Sequence, residues 1–349
     1  MRFLVFALVF GAFFVTAQTP PAPPAQPPAA PAPKDAEPIR VQVQEVIVPV
    51  TVTDDRGRFV SDLDQKNFEI LDEGKPQKIR FFTRERGQPV VIGFLVDQSN
   101  AVKLNWKTYF EATQELILAL LPGEPKFSGY LISYGNEAEL QANTTTDPEK
   151  LLAKLRKMKP GGGAALFDAI YKACTSRDLV KGEPIEPRRV IVIIGDGHDN
   201  ASKYTLDQVI ELAQRNLVTV YAVSTTGFGF VSEGDSILKR LTEKTGGRVE
   251  YPLQGTYSDV SGYLSTPSDE GNYALKVGTG GYAAAIANGI FKSIAAVSGE
   301  ITTQYILRYI PQLTDKTAAR QYRRIEVKVD TPNVKVRARE GYYPYELNP

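Results

Sequence analysis

Two short loops hold most of the side chains that could do chemistry. Asp97-Gln98-Ser99-Asn100-Ala101 offers a carboxylate, a hydroxyl and an amide, and Asp196-Gly197-His198-Asp199-Asn200 adds two carboxylates and the only histidine of the chain. Ser99, His198 and Asp199 are the parts of a hydrolytic triad. The sequence offers little else for catalysis: it has no His-Glu-x-x-His, no Gly-x-Ser-x-Gly and no second histidine. Gly161-Gly162-Gly163 lacks the Lys-Ser/Thr that completes a phosphate-cradling loop. Cys174 lies four residues after Ile170 and eight after Leu166, on one apolar helical face, and reads as core. Asp168, at a helix start, suits the helix dipole. The expectation is a protein that is not an enzyme and carries no catalytic residue.

The elements that position these loops follow from hydrophobic pattern. Val90 to Val96 runs straight into the first loop and Val190 to Ile194 into the second. With Phe127 to Tyr134 and Leu217 to Val223 they form continuous apolar runs, the mark of strands buried on both faces of a parallel sheet. Helical patterns lie between them. Trp106, Tyr109, Phe110, Thr113, Leu116, Ile117 and Leu120 repeat at three-and-four spacing behind Asn105, a candidate N-cap. Asp147-Pro148 supplies a cap and a first-turn proline, Thr205 with Gln208 a capping box, and Gly246-Gly247 a stop for the helix begun by Ile237, Leu238 and Leu241. A last helix carries Ile286, Ile290, Phe291, Ile294 and Val297.

On either side of this unit the pattern is β. Val46, Val48, Val50 and Val52 alternate with other residues after a phase shift at Glu45, which suggests a bulge behind Val41 and Val43. Phe68 to Leu71 and Gln77 to Phe82 read as strands, with tight turns at Asp54-Asp55-Arg56-Gly57 and Asp72-Glu73-Gly74. After the last helix, Tyr305 to Tyr309, then Ile325, Val327 and Val329, then Val334, Val336 and Ala338 read as half-exposed strands. The fold class expected is therefore α/β. A doubly wound, mostly parallel, Rossmann-like sheet is inserted between flanking β segments that form a small sandwich, or else the β segments are separate modules.

Four pieces in matching order resemble the landmarks of the von Willebrand factor A family: Asp97 to Ala101, Gly162 to Asp168, Gly195-Asp196-Gly197, and Leu241 to Gly247. The resemblance spans roughly residues 88–299. The flanks, with Phe68 to Gly74 before and Glu340-Gly341-Tyr342-Tyr343 after, look like a bacterial subgroup, the acidobacterial VWFA-related proteins. The resemblance implies a ligand site at the C-terminal ends of the central strands. There an Asp-x-Ser-x-Ser loop, a threonine and a further aspartate hold one divalent ion, and an acidic group of the partner completes its shell. Asp97, Ser99 and Asp196 match that pattern as metal ligands. Ala101 stands where the second serine would be and Ala164 where the threonine would be, and a methyl group has no lone pair. The implied site is degenerate, with magnesium bound weakly or not at all, and Asn100, Gly163 and His198 form the rim that a partner would touch.

The ends of the chain concern location. Arg2, the apolar run Phe3 to Val15 and the small-residue ending at Ala17 are laid out as a signal peptide. Residues 18–39 form a Pro/Ala-rich linker of polyproline character. The remaining divisions read as an N-terminal β segment over 40–86, a VWA-like domain over 87–299 and a C-terminal β segment over 300–349. No later stretch offers the roughly 20 apolar residues of a membrane span. With 41 basic and 40 acidic residues the chain carries no field that favours nucleic acid. The expected protein is periplasmic or secreted and binds another protein or a cell-envelope macromolecule. The competing readings are a structural envelope component with a vestigial site, and a hydrolase with the aperiodic stretch Leu253 to Gly281 as its lid.

Overall fold

The computed structural model describes residues 45–84, 89–103, 106–176, 179, 187–225, 232–252, 270–312 and 321–344. The signal-peptide and linker readings, the strand pattern at Val41 and Val43, the Asn105 cap and residues 253–269 lie outside these. The central sheet has six strands in the order β10-β9-β8-β5-β6-β7. They are β5 (Val90–Asp97), β6 (Phe127–Tyr134), β7 (Ala138–Thr145), β8 (Arg188–Gly195), β9 (Thr219–Ser224) and β10 (Val249–Glu250). Pairing is parallel from β10 to β6 and antiparallel at the β7 edge.

Alternate residues of β5 serve two separate cores. Ile92, Phe94 and Val96 pack under α1 (Trp106–Leu120), α2 (Pro148–Leu155) and the C-terminal part of α6 (Glu270–Thr303). Val91 and Leu95 pack under α3 (Leu166–Thr175), α4 (Leu206–Arg215) and α5 (Glu233–Thr245). This two-sided burial is why the strands read as unbroken apolar runs, and each such side chain contributes about 1.5–3 kcal/mol. The expected caps form. Asp147 accepts from the Glu149 amide at 3.0 Å, Thr205 and Gln208 close a capping box, and Gly246 ends α5 at φ 86°. Helix α5 starts earlier than its apolar residues suggested, at Glu233, because Ser232 and Asp235 make a second capping box.

The flanking segments build two four-stranded antiparallel sheets that share one core. One sheet runs β13-β1-β11-β4 and the other β14-β12-β2-β3. Their members are β1 (Val46–Asp54), β2 (Phe68–Asp72), β3 (Lys75–Gln77), β4 (Phe81–Thr83), β11 (Tyr305–Tyr309), β12 (Arg323–Val329), β13 (Val334–Ala338) and β14 (Gly341–Tyr342). Val46, Val48 and Val50 of β1 meet Phe68 and Ile70 of β2 and Tyr305, Leu307 and Tyr309 of β11. Across this core the Tyr309 and Tyr342 hydroxyls both donate to Asp72 Oδ2 at 2.9 Å, and Arg323 pairs with Asp72 Oδ1 at 2.8 Å.

Three expectations need correction, and one strand was not expected at all. The run Gln77 to Phe82 is not one strand: β3 and β4 belong to different sheets, and the chain crosses between them over Lys78 to Arg80. β11 is not half-exposed, since every residue in it is buried. Even Arg308 is covered, by the Phe81 ring and the Glu45 carboxylate. The stretch read as an aperiodic loop to Gly281 is helical from Glu270, where Ala274, Leu275, Lys276 and Ala283 to Ala285 are strong helix formers despite the interspersed glycines. The β7 edge strand gave no signal beforehand, because its sequence AELQANTT has few large apolar residues.

A buried carboxylate ties the sandwich to the α/β unit. Glu300 of α6 is wholly buried, accepts from Thr51 of β1 at 3.0 Å and from Tyr221 of β9 at 3.1 Å, and pairs with Arg337 of β13 and Arg248. Gln304 bridges the same Thr51 and Tyr221 hydroxyls, at 3.0 Å each.

Candidate functional site

β5 and β8 lie side by side, yet the chain leaves them toward opposite faces. β5 continues into α1 on one face, and β8 continues into α4 on the other. The divergence opens a crevice at their C-terminal ends, where open α/β sheets bind ligands. The tips there are Asp97-Gln98-Ser99 and Asp196-Gly197-His198, so both loops singled out above meet at one place. The α3 approach loop joins them, with the Asn100 amide donating to Gly162 O at 3.1 Å and the Gly161 amide to Gln98 O at 2.7 Å.

Asp97 has no exposed surface. Its Oδ1 accepts from the Ser99 amide at 2.7 Å, while Oδ2 has no hydrogen-bond partner among the described residues. Burial pushes its carboxyl up to about 6, against the opposing bonds from Ser99, and the nearby Asp196 charge adds to the rise. Beneath it the Tyr109 hydroxyl donates to Ile194 O at 2.6 Å, and burial raises the phenols of Tyr109 and Tyr134 well above their ordinary value. Ser99 is buried as well and caps the turn behind it, its Oγ accepting from the Ala101 amide at 3.2 Å.

Asp196 accepts from the His198 amide at 3.0 Å through Oδ1, and its Oδ2 lies 3.1 Å from His198 Nδ1. Gly197 holds φ 84° and lies so close to the Gly234 carbonyl that a Cβ would collide with it. Asp199 turns away from His198: its Oδ2 accepts from the Phe167 amide at 2.9 Å and from the Ser202 hydroxyl at 2.5 Å. Asp168 accepts from the Lys203 amide at 2.8 Å, a loop-fixing task. The Ser99, His198, Asp199 triad therefore lacks its orienting bond, because His198 takes Asp196 as its partner. Cys174 is buried in the α3 core, and burial pushes its thiol up to about 12.

Two asparagines outside the expected site residues shape the rim. Asn136, just past the end of β6, accepts from the Gly163 amide at 2.7 Å, and Asn200 accepts from the Ala164 amide at 2.8 Å. Asn136 was findable by the rule that found the others, since it follows the end of a buried parallel strand. The surface they frame includes exposed Asn100, Asn136, His198 and Asn200 and half-buried Gly163.

The side chains fit a tightly held magnesium ion poorly. Ala101 and Ala164 supply no oxygen, both Asp196 oxygens are engaged by His198, and Asp97 is sealed from solvent. Among the described residues no three His, Cys, Asp or Glu side chains gather as a metal-holding group.

Residues 92–251 match the family described as von Willebrand factor type A domain. A curated relative from Borreliella burgdorferi, an uncharacterized protein, is 30% identical over 141 residues. That match covers 39% of this chain and 40% of the relative, so well under two thirds of the relative's length is spanned. Among solved structures, the SpRpn10 VWA domain is 16% identical with a TM-score of 0.37, covering 46% of this chain and 86% of that one. BatB from Bacteroides thetaiotaomicron is 18% identical with a TM-score of 0.37, covering 46% and 88%. The vWF domain of the type V pili tip protein Mfa5 from Porphyromonas gingivalis is 21% identical with a TM-score of 0.29, covering 32% and 39%.

Proposed function

We propose that this chain, whose residues 92–251 form a von Willebrand factor type A domain, is an exported interaction module that docks another protein or an envelope macromolecule at the β5/β8 crevice without a tightly bound metal. The observation that carries this reading is the rim itself. Asn136, Asn200, Asp168 and Asp199 each accept backbone hydrogen bonds that lock the surrounding loops, leaving Asn100, Gly163 and His198 presented on a preorganised surface. A surface fixed before contact loses less entropy on binding. The same bonds leave no convergent nucleophile, base and acid, which argues against hydrolysis. Export rests on the N-terminal sequence pattern, and among the described residues no helix is long and apolar enough to cross a membrane.

The test is affinity capture from native envelope with the full chain, with Asn100→Arg and His198→Ala variants, in magnesium and in chelator. A partner retained by the parent in chelator and lost by both variants supports docking at the rim. Equal capture by parent and variants overturns it and favours an envelope component whose sandwich makes the contacts. Capture lost in chelator shows that a metal is required after all.

A further inference from the structure

At the opposite end of the central sheet from the crevice, the starts of β8 and β9 meet the sandwich around a small cavity of about 20 Å³. Ile47 and Pro49 of β1 form one wall, Pro187, Leu217 and Thr219 form another, and Arg188, Arg189 and Arg339 complete it. None of the described lining residues is acidic.

Arg339 is the unusual member. Only 2% of it is exposed, one nitrogen donates to Leu217 O at 2.9 Å, and its Nε and Nη1 have no hydrogen-bond partner among the described residues. Arg188 is 7% exposed, and its Nε, like that of neighbouring Arg189, has no partner among the described residues. The two other Arg188 nitrogens reach Ile301 O at 2.9 Å and Gln304, and the buried Glu300 carboxylate acts on Arg188 without a direct ion pair, so the less compensated charge is that of Arg339. Burial lowers Arg339 to about 10, with the like charge of Arg188 adding to the fall, which still leaves it protonated at neutral pH. Among the described residues neither arginine makes an ion pair. A buried cation without a counter-charge costs several kcal/mol unless something neutralises it.

We propose that this cavity is a binding site for a small monovalent anion of chloride size, held by the free donors of Arg339 and Arg188. Its size sets the class. A cavity of this volume admits one water-sized species, which leaves no room for the four oxygens of phosphate or sulfate. The bound ion neutralises the junction where the end of β13 returns onto the central sheet, and so fastens the sandwich to the α/β unit.

The experiment is thermal unfolding of the full chain at constant ionic strength, with chloride exchanged for gluconate, an anion too large to enter. The midpoint should rise with chloride and saturate. At a chloride concentration ten times the dissociation constant the folding equilibrium constant should be about elevenfold higher. Arg339→Leu, which removes two of the free donors, should lose this response. Identical curves in chloride and gluconate, or an equal chloride response in Arg339→Leu, would overturn the proposal. Should Arg339→Leu not fold, bromide decides: crystals grown in bromide should show anomalous density beside Arg339, and a water there instead refutes the site.

Discussion

Replacing Asp97 by asparagine should make the protein more stable at neutral pH, and the size of the gain follows from burial. The carboxyl shifts from an ordinary 3.8 to about 6 because its charged form is sealed from water with one oxygen unpartnered. Two units at about 1.4 kcal/mol each put the penalty for ionising it in the folded state at about 3 kcal/mol. Since the folded value is raised, the native state binds the extra proton. The stability it brings is fully present below about 3.8 and is lost as pH rises through about 6. Asparagine keeps the acceptor for the Ser99 amide and carries no charge, so the variant escapes that loss. At pH 7.5 it should gain up to about 3 kcal/mol, or roughly 6 °C in melting temperature for a body of this size, and at pH 4 the difference should shrink toward zero. Urea unfolding of both proteins from pH 4 to 8 measures it. A variant no more stable than the parent at pH 7.5, or a gain that does not change with pH, would show that the Asp97 charge is compensated and that the account of its burial is wrong.

Restoring oxygen ligands with Ala101→Ser and Ala164→Thr together should raise magnesium affinity, read as a magnesium-dependent melting temperature in the double variant that the parent lacks; micromolar magnesium binding by the parent in a calorimetric titration would contradict the poor fit. Glu300→Gln leaves Arg337 and Arg248 without their shared carboxylate. It should cost about 2–4 kcal/mol, below the full value for a buried pair because both arginines reach solvent, with chemical denaturation as the check. A chain ending at Gly299 loses β11 to β14 and uncovers Val46, Val48, Val50 and Ile70. It should aggregate or unfold without cooperativity, and clean two-state unfolding with intact β signal would refute the shared core.

The sequence alone determined the elements whose burial is uniform or whose ends are capped. β5, β6, β8 and β9 are apolar without interruption because both faces are covered, and α2 and α4 begin at caps formed by neighbouring residues. It also placed Asp97 and Asp196 at strand ends, since a doubly wound order of strands brings such ends together. Tertiary structure decided everything that depends on which distant residues meet. Whether His198 would serve Asp196 or Asp199 turns on loop geometry set by Phe167 and Ser202, and no spacing encodes it. The split of Gln77 to Phe82 between two sheets, the full burial of β11 and the helical start at Glu270 likewise lie beyond a pattern of alternation, which reports how a strand could be covered but not what covers it. The buried charge of Arg339 was invisible for the same reason: in sequence it is one arginine among many, and only the fold closes β1, β8 and β9 around it with no acid among the described lining residues.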